Sequence, residues 1–447
     1  MNSLPVKIFS IVEGDNFLYE AVTNKIFRME QTNNFDEEEL LARFVRNGSI
    51  STRIFDAPKF SVPFDEYRHT LEKNLRQMIL EVTRRCNLRC SYCVYSGKFP
   101  GRRTHENLDM TRKTLERAIN FYATHGTTTN KGSISFYGGE ALLCCDEIFH
   151  AIDYAERVMP EKKLQFAIAT NGLLLDKKIF SWLMKKPNVT LNVTLNGLPH
   201  DKYRCTVDGK GTLKTLCDNL DIAKKDYPQV WDNQIGFLCN YADYEELINQ
   251  RNFYLKVIRK MPLLINRIVL PNFVDLLSTD DKEISAREEL VDLYIREGDL
   301  FLAAYFRVPI AVIHERPISN ADTRSFINSC IPFANRFFVT ADGRFQICTE
   351  TTELDELGDL TDGFNFVTLK KIYDDAEKFF ADSDCRRCWA QRLCPACFKD
   401  FLTPDGSICS LGSTWCRNFR AVLLCDLKLY CRLAYYHRDL LKRLIDS

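Results

Sequence analysis

No stretch of this chain is apolar for long enough to cross a bilayer; its longest hydrophobic runs fall well short of the roughly 20 residues that a spanning helix needs. Charge of one sign is not in excess either, since 60 Lys and Arg balance 60 Asp and Glu. A neutral chain gives no reason to expect nucleic acid or an acidic membrane as partner. The opening residues, Met1 to Lys7, lack a basic segment followed by a long apolar core, so no secretory signal is apparent. That points to the cytoplasm. Internal repeats and low-complexity tracts are likewise missing.

Cysteine, by contrast, is abundant: there are 18 in 447 residues. In a reducing compartment they are unsuited to a disulfide framework, and clustered cysteines are better read as metal ligands. Three lie at 86–93, and a second group lies between Cys330 and Cys416. The length allows two domains, or a barrel with appendages. An apolar content of 45% and a charged content of 27% are ordinary for a soluble enzyme.

The first group is Cys86-Asn87-Leu88-Arg89-Cys90-Ser91-Tyr92-Cys93. It follows a largely apolar run, Met78 to Thr83, that reads as a buried strand. Three thiols on a loop leaving a strand can hold three corners of a [4Fe–4S] cube and leave its fourth iron open. The alternatives are half of a structural zinc site and three unrelated core thiols. Zinc wants a fourth Cys or His at short spacing, and the next histidine, His105, is far along the chain. The spacing C-x3-C-x2-C, with its aromatic Tyr92, resembles the radical S-adenosylmethionine (SAM) superfamily. There the open iron binds the amino and carboxylate groups of SAM.

From about 76 to 305, strand-like and helix-like segments alternate. Strands are predicted at Met78–Thr83, Ser133–Tyr137, Leu164–Thr170, Leu191–Leu195, Gln234–Cys239 and Arg267–Phe273. Between them lie amphipathic helices, such as the one presenting Leu115, Ala118, Ile119 and Tyr122. Six βα units argue for a parallel sheet with covering helices and a cofactor at the carboxyl ends of the strands. In the superfamily such units form a partial, open (β/α)6 TIM-like barrel. The polar run Ser278 to Glu283 reads as a linker, and Ser285 to Phe306 as one long helix.

Other strand ends match as well. Gly138-Gly139-Glu140 follows the second strand, and two glycines permit close backbone approach. The resemblance assigns this turn to the SAM amino group, and likewise implies cofactor contacts at Thr170 and Asn171. Relatives carry Ser-x-Asp-Gly and a later Arg that bind the ribose and carboxylate of SAM. Here Thr194 and Asn196 replace the Ser and Asp, so the hydroxyl stays while the charge is lost. Arg204 supplies the guanidinium, which suits bidentate capture of a carboxylate.

Residues 1 to about 75 read as a small α+β unit, with strands at Val6–Ile11, Phe17–Val22 and Ile26–Met29 and a helix from Glu37 to Val45. It resembles a trimmed, winged-helix-like leader-peptide recognition element, where a peptide adds a strand to an exposed sheet edge. The alternative is a mere cap on the next domain.

In the second cysteine group, residues 337–348 read as a hairpin turning at Asp342-Gly343. The order Cys330-x12-Gly343-x4-Cys348, then Cys385-x2-Cys388-x5-Cys394-x2-Cys397, then Cys409 and Cys416, resembles the SPASM extension of radical SAM enzymes. By that resemblance, residues 306–447 carry two auxiliary [4Fe–4S] clusters and a C-terminal helix. Cys385, Cys388, Cys394 and Cys416 would hold one cluster, and Cys330, Cys348 and Cys397 the other. Relatives usually place three residues, not two, before the cysteine matching Cys397. A zinc ribbon is the alternative for these pairs.

The segment Cys93-Val94-Tyr95-Ser96, followed by Arg103-x-His105 and Met110, is similar to maturases of cysteine-rich peptides. The resemblance implies a cytoplasmic enzyme that splits SAM to methionine and a 5′-deoxyadenosyl radical, fed by a flavodoxin or ferredoxin-type donor. That radical takes hydrogen from a precursor peptide bearing a leader segment. Thioether formation at a Cys sulfur is the leading expectation, with carbon–carbon or carbon–oxygen cross-linking next. Formylglycine formation, as in sulfatase maturation, is a further alternative; those relatives have Asp where Thr349 stands here. A zinc-stabilised peptide-binding scaffold without catalysis is the last.

Overall fold

Alternate residues of the central strands are buried apolar groups, and the residues between them are small or polar. This is the pattern of a sheet with helices outside and a ligand space inside. On Lys163–Thr170, Leu164, Phe166 and Ile168 are buried, while Gln165 and Ala167 lie between them. The computed structural model describes residues 4–29, 37–50, 63–126, 128–268, 281–318 and 336–446, apart from 352, 355, 382, 397 and 404–406.

The first three strands, β1 (Val6–Ser10), β2 (Asn16–Glu20) and β3 (Lys25–Met29), form an antiparallel sheet in that order. One of its faces packs on the helix Glu37–Arg46 through Leu18, Phe27, Leu40, Leu41 and Phe44. The other face packs Phe9, Phe17 and Tyr19 against Leu393, Leu423 and Leu427, so its core is shared with the C-terminal helix Ser413–Tyr436.

Next come β4 (Gln77–Thr83), β5 (Lys131–Gly138), β6 (Lys163–Thr170), β7 (Val189–Thr194), β8 (Ile235–Tyr241) and β9 (Leu264–Arg267), all parallel and adjacent in chain order. The mainly parallel α/β sheet expected from the alternation is present. The helix Arg112–His125 buries Leu115, Ala118, Ile119 and Tyr122 as their spacing predicts, and Thr111 caps it by accepting from the Thr114 amide at 3.1 Å.

Three expectations need correction. The sixth strand lies earlier than Arg267–Phe273: the Leu263 amide bonds Phe237 and the Ile268 amide bonds Tyr241, so pairing with β8 fixes it at Leu264–Arg267. Val269 to Phe273 fall outside the described residues, as do positions 278–280 of the expected linker. Gln234 ends a helix instead of starting a strand; its side-chain Nε2 donates to the carbonyls of Leu183, Lys186 and Val189.

The long helix at Ser285–Phe306 is in fact two, Asp281–Glu297 and Leu300–His314. Gly298, at φ 60°, takes the left-handed conformation that ends one helix, and Asp299 caps the next by accepting from the Leu302 amide at 2.9 Å.

The hairpin of β10 (Arg336–Val339) and β11 (Phe345–Gln346) turns at Asp342-Gly343, with Gly343 at φ 88°. The sequence did not reveal that β10 also pairs in parallel with β4, extending the central sheet to eight strands. Among the described residues no helix is long and apolar enough to cross a membrane.

Candidate functional site

The cysteine loop leaves β4 at its C-terminal end, as expected. A neighbouring segment holds it in shape: the Arg89 amide donates to the Cys205 carbonyl at 2.8 Å, and the Ser91 amide to that of Tyr203 at 2.9 Å. Cys86, Cys90 and Cys93 are free thiols, half-buried, and line one cavity of about 650 Å³ at the carboxyl ends of the strands. Burial pushes the Cys86 thiol up to about 12 and the Cys93 thiol up to about 11. Such thiols ionise only when a cation takes the place of the proton. Among the described residues no three His, Cys, Asp or Glu side chains converge as a single metal ion would require. Ligands to three different irons of a cube need no such convergence.

Gly138, Gly139 and Glu140 line this cavity. The glycines are required by backbone, however, as much as by any ligand. A Cβ on Gly138 would meet the Thr83 carbonyl oxygen at 2.1 Å, and one on Gly139 the Arg85 carbonyl oxygen at 2.0 Å. The Gly139 and Glu140 amides donate to those same carbonyls at 2.8 Å. The turn after β5 is thus laid directly on the entry to the cysteine loop. Glu140 is buried and spends both oxygens on the protein, accepting from Thr170 Oγ1 at 2.6 Å and the Asn171 amide at 2.7 Å. Burial raises its carboxyl, in opposition to those bonds. Asn171 donates to Asn87 Oδ1 at 2.7 Å, so the end of β6 is also fastened to the cysteine loop. Thr170, Asn171 and Thr194 all line the cavity.

Tyr92 is a hub. Its hydroxyl oxygen accepts from Arg204 Nη1 at 2.8 Å, Asn196 Nδ2 at 3.3 Å and Asn240 Nδ2 at 3.4 Å. Asn196 is fully buried and stands behind Tyr92, outside the cavity lining; its Oδ1 accepts from the Asn240 amide at 3.0 Å. An amide at 196 supplies both the donor to Tyr92 and the acceptor for Asn240. Arg204 lines the cavity, is 7% exposed, and leaves its Nε buried without a partner. An uncompensated guanidinium in such a place fits an anionic ligand group.

The second cysteine group divides. Cys385, Cys388, Cys394 and Cys416 lie close enough to influence one another electrostatically, and burial pushes Cys394 up to about 12. Cys348 lies near the cavity residues Arg102, Tyr137 and Lys399. The Thr349 carbonyl accepts from Tyr95 Oη and from Arg103 Nη2, each at 2.9 Å, which binds the Cys348 segment to the loop that follows Cys93. Cys330 and Cys397 fall outside the described residues. Cys409 sits in a small hairpin, its amide donating to the Phe401 carbonyl at 2.8 Å.

Several lining residues escaped the sequence analysis: Arg102, Asn240, Arg267, Glu350, Lys399 and Asp400. Glu350 and Lys399 form an ion pair at the cavity wall. Asn240 and Arg267 each had one signal, a place at an end of a predicted strand. Arg102, Lys399 and Asp400 come from distant segments and had none.

Residues 80–250 match the Radical SAM superfamily, so the chain carries a radical SAM domain over that span. An uncharacterised protein of Methanocaldococcus jannaschii is 34% identical over 144 residues, 32% of this chain and 46% of that protein. The radical SAM cyclopropyl synthase TigE of Paramaledivibacter caminithermalis is 30% identical over 175 residues, 37% of this chain and 35% of TigE. The chain thus spans less than half the length of these relatives. The solved structure of native anSMEcpe with bound AdoMet (SAM) has the same fold, with a TM-score of 0.62 at 18% identity over 81% of this chain and all of that one.

Proposed function

We propose that this protein is a radical SAM enzyme that installs an intramolecular cross-link in a ribosomally made precursor peptide, with a Cys thioether as the leading bond. The observation that carries it is one cavity, at the strand ends, combining three free thiols with a buried guanidinium whose Nε has no hydrogen-bond partner. Cys86, Cys90 and Cys93 would hold a [4Fe–4S] cluster, and Arg204 the carboxylate of SAM. When bound, the cluster and SAM supply the means to break an unactivated C–H bond.

The remaining work belongs to the chain. Tyr92, braced by Asn196 and Asn240, orients Arg204. The turn Gly138–Glu140 would hold the SAM amino group, with Thr170, Asn171 and Thr194 as polar neighbours in the cavity wall. Phe99 and Tyr137 present aromatic walls that exclude water from the reacting carbon.

In this reading residues 76–305 are the radical SAM barrel and 306–447 a SPASM domain. Cys385, Cys388, Cys394 and Cys416 hold one auxiliary cluster, and Cys330, Cys348 and Cys397 the other. The mutual proximity of the first four supports the grouping. Residues 1–75 bind a leader peptide by strand addition; β1 and β3 are both edge strands of their sheet, which supports it. A flavodoxin or ferredoxin-type protein in the cytoplasm supplies electrons.

Formylglycine formation is the second reading. Glu350 lines the cavity, so a carboxylate is present one residue beyond the position those relatives use. Anaerobic reconstitution followed by reduction tests the class: on the order of twelve irons per chain and release of 5′-deoxyadenosine are expected for three cubanes. Iron-free protein, or iron-loaded protein that never releases 5′-deoxyadenosine, sinks the proposal. Mass spectrometry of a co-expressed precursor peptide separates the products, with loss of about two mass units per cross-link and a larger loss for formylglycine made from Cys.

A further inference from the structure

His105 lies twelve residues beyond Cys93 in the chain, yet the fold returns its ring to the cysteine loop. Its Nε2 stands 3.7 Å from Cys93 Sγ. Its ring meets that of Tyr95 edge-on, with centroids 6.3 Å apart, and its amide donates to the Tyr95 carbonyl at 3.1 Å. Both the backbone and the ring are therefore fixed. Its other nitrogen, Nδ1, is buried and makes no hydrogen bond of normal geometry, the Arg84 backbone being the one polar group that favours a proton on the ring. A buried imidazole with one idle nitrogen calls for an explanation, since such groups are usually satisfied. His105 also has an unusual place. With Cys86 it lines both the main cavity and a second, open depression of about 440 Å³ that includes Asn87 and Arg89.

We propose that His105 is a positioning residue whose Nε2–H donates to the Cys93 sulfur and so sets the reduction potential of a cluster held by Cys86, Cys90 and Cys93. The inference rests on the function proposed above. A thiolate bound to iron has no proton to give, so at this contact the imidazole must be the donor, whether neutral or charged. A hydrogen bond to a ligand sulfur draws electron density from it. That favours the reduced, more negative state, and the potential rises. The Cys93 ligand would thus be tuned by a side chain outside the three-cysteine motif.

The test uses the full-length, anaerobically reconstituted protein with H105F, which keeps a ring but removes the donor, and H105Q, which keeps an N–H. A redox titration followed by electron paramagnetic resonance would track the signal that changes on SAM addition. At a fixed potential the ratio of reduced to oxidised cluster should fall on the order of fivefold to tenfold in H105F, the equivalent of one net hydrogen bond. H105Q should recover most of it, with iron content unchanged in both. An iron-loaded H105F that titrates like the parent overturns the proposal. So does equal loss of iron in H105F and H105Q, which would make His105 a mere support of the loop. A colourless parent protein that binds zinc through these cysteines and His105 would instead remove the underlying function.

Discussion

At the scale of single residues, two buried groups beside Tyr92 make measurable claims. Arg204 has an unpartnered Nε and no hydrophobic substitute can satisfy a carboxylate there. R204A should weaken SAM binding to the reconstituted protein by roughly 1.5–3 kcal/mol, the worth of a hydrogen bond to a charged group, or about 10- to 100-fold. Equilibrium binding with SAM reads this directly, and unchanged affinity would remove Arg204 from the site. His200 is 1% exposed, and its Nδ1 accepts from the Asn196 amide at 3.2 Å. Burial, with the nearby Arg204 charge, pushes its imidazole down to about 3. Because this lies below the unfolded value of about 6.5, the unfolded chain takes up a proton first as pH falls. The contribution is complete above about pH 6.5 and is lost progressively toward pH 3. Between pH 7 and pH 5 denaturant unfolding should show a loss of about 2 kcal/mol from this group, and H200Q should lessen it.

At the scale of elements, the alternation of strands and helices was legible because hydrophobic period carries it. Leu115, Ala118, Ile119 and Tyr122 announced their helix and are all buried. The break after Glu297 was equally written in the chain, as a Gly-Asp pair, yet the apolar spacing on either side hid it. Asp299 caps the second helix and also pairs with Arg251 at 2.7 Å, so D299A should cost at least about 1 kcal/mol in thermal or denaturant unfolding, while D299N, which keeps a capping oxygen, isolates the ion pair. An unchanged midpoint would mean that packing alone starts the helix. The site divided along similar lines. Cys86, Cys90, Cys93 and the turn at Gly138-Gly139 stood out because their chemistry and spacing are local. Arg102, Lys399 and Asp400 did not, because only the folded chain brings them to one cavity. Asn196 is a different case: family position suggests a ligand contact, and in the fold its Nδ2 donates to Tyr92 from outside the cavity lining.

At the scale of the whole molecule, a few buried charges join parts that are remote in sequence. Glu81 on β4 accepts from Arg84 at 3.1 Å, Arg103 at 3.2 Å and the Ala341 amide at 3.0 Å, which ties the central sheet, the post-cysteine loop and the hairpin together. Arg287 and Asp426 form a buried ion pair between the helices Asp281–Glu297 and Ser413–Tyr436. D426N would leave the guanidinium without a counter-charge, and the expected loss of stability is about 3–5 kcal/mol. Replacing both with apolar residues of similar volume should cost far less. Unfolding of the two variants side by side checks this, and a mild D426N would mean that water reaches Arg287.

The seat of β10 against β4 has a practical consequence for anyone who would trim this protein to its six parallel βα strands. A chain stopped before Arg336 strips the neighbour from Gln77–Leu80 and leaves a bare row of peptide groups along an apolar strand. Such a margin recruits other chains, so the shortened piece should clump where the intact one stays dispersed.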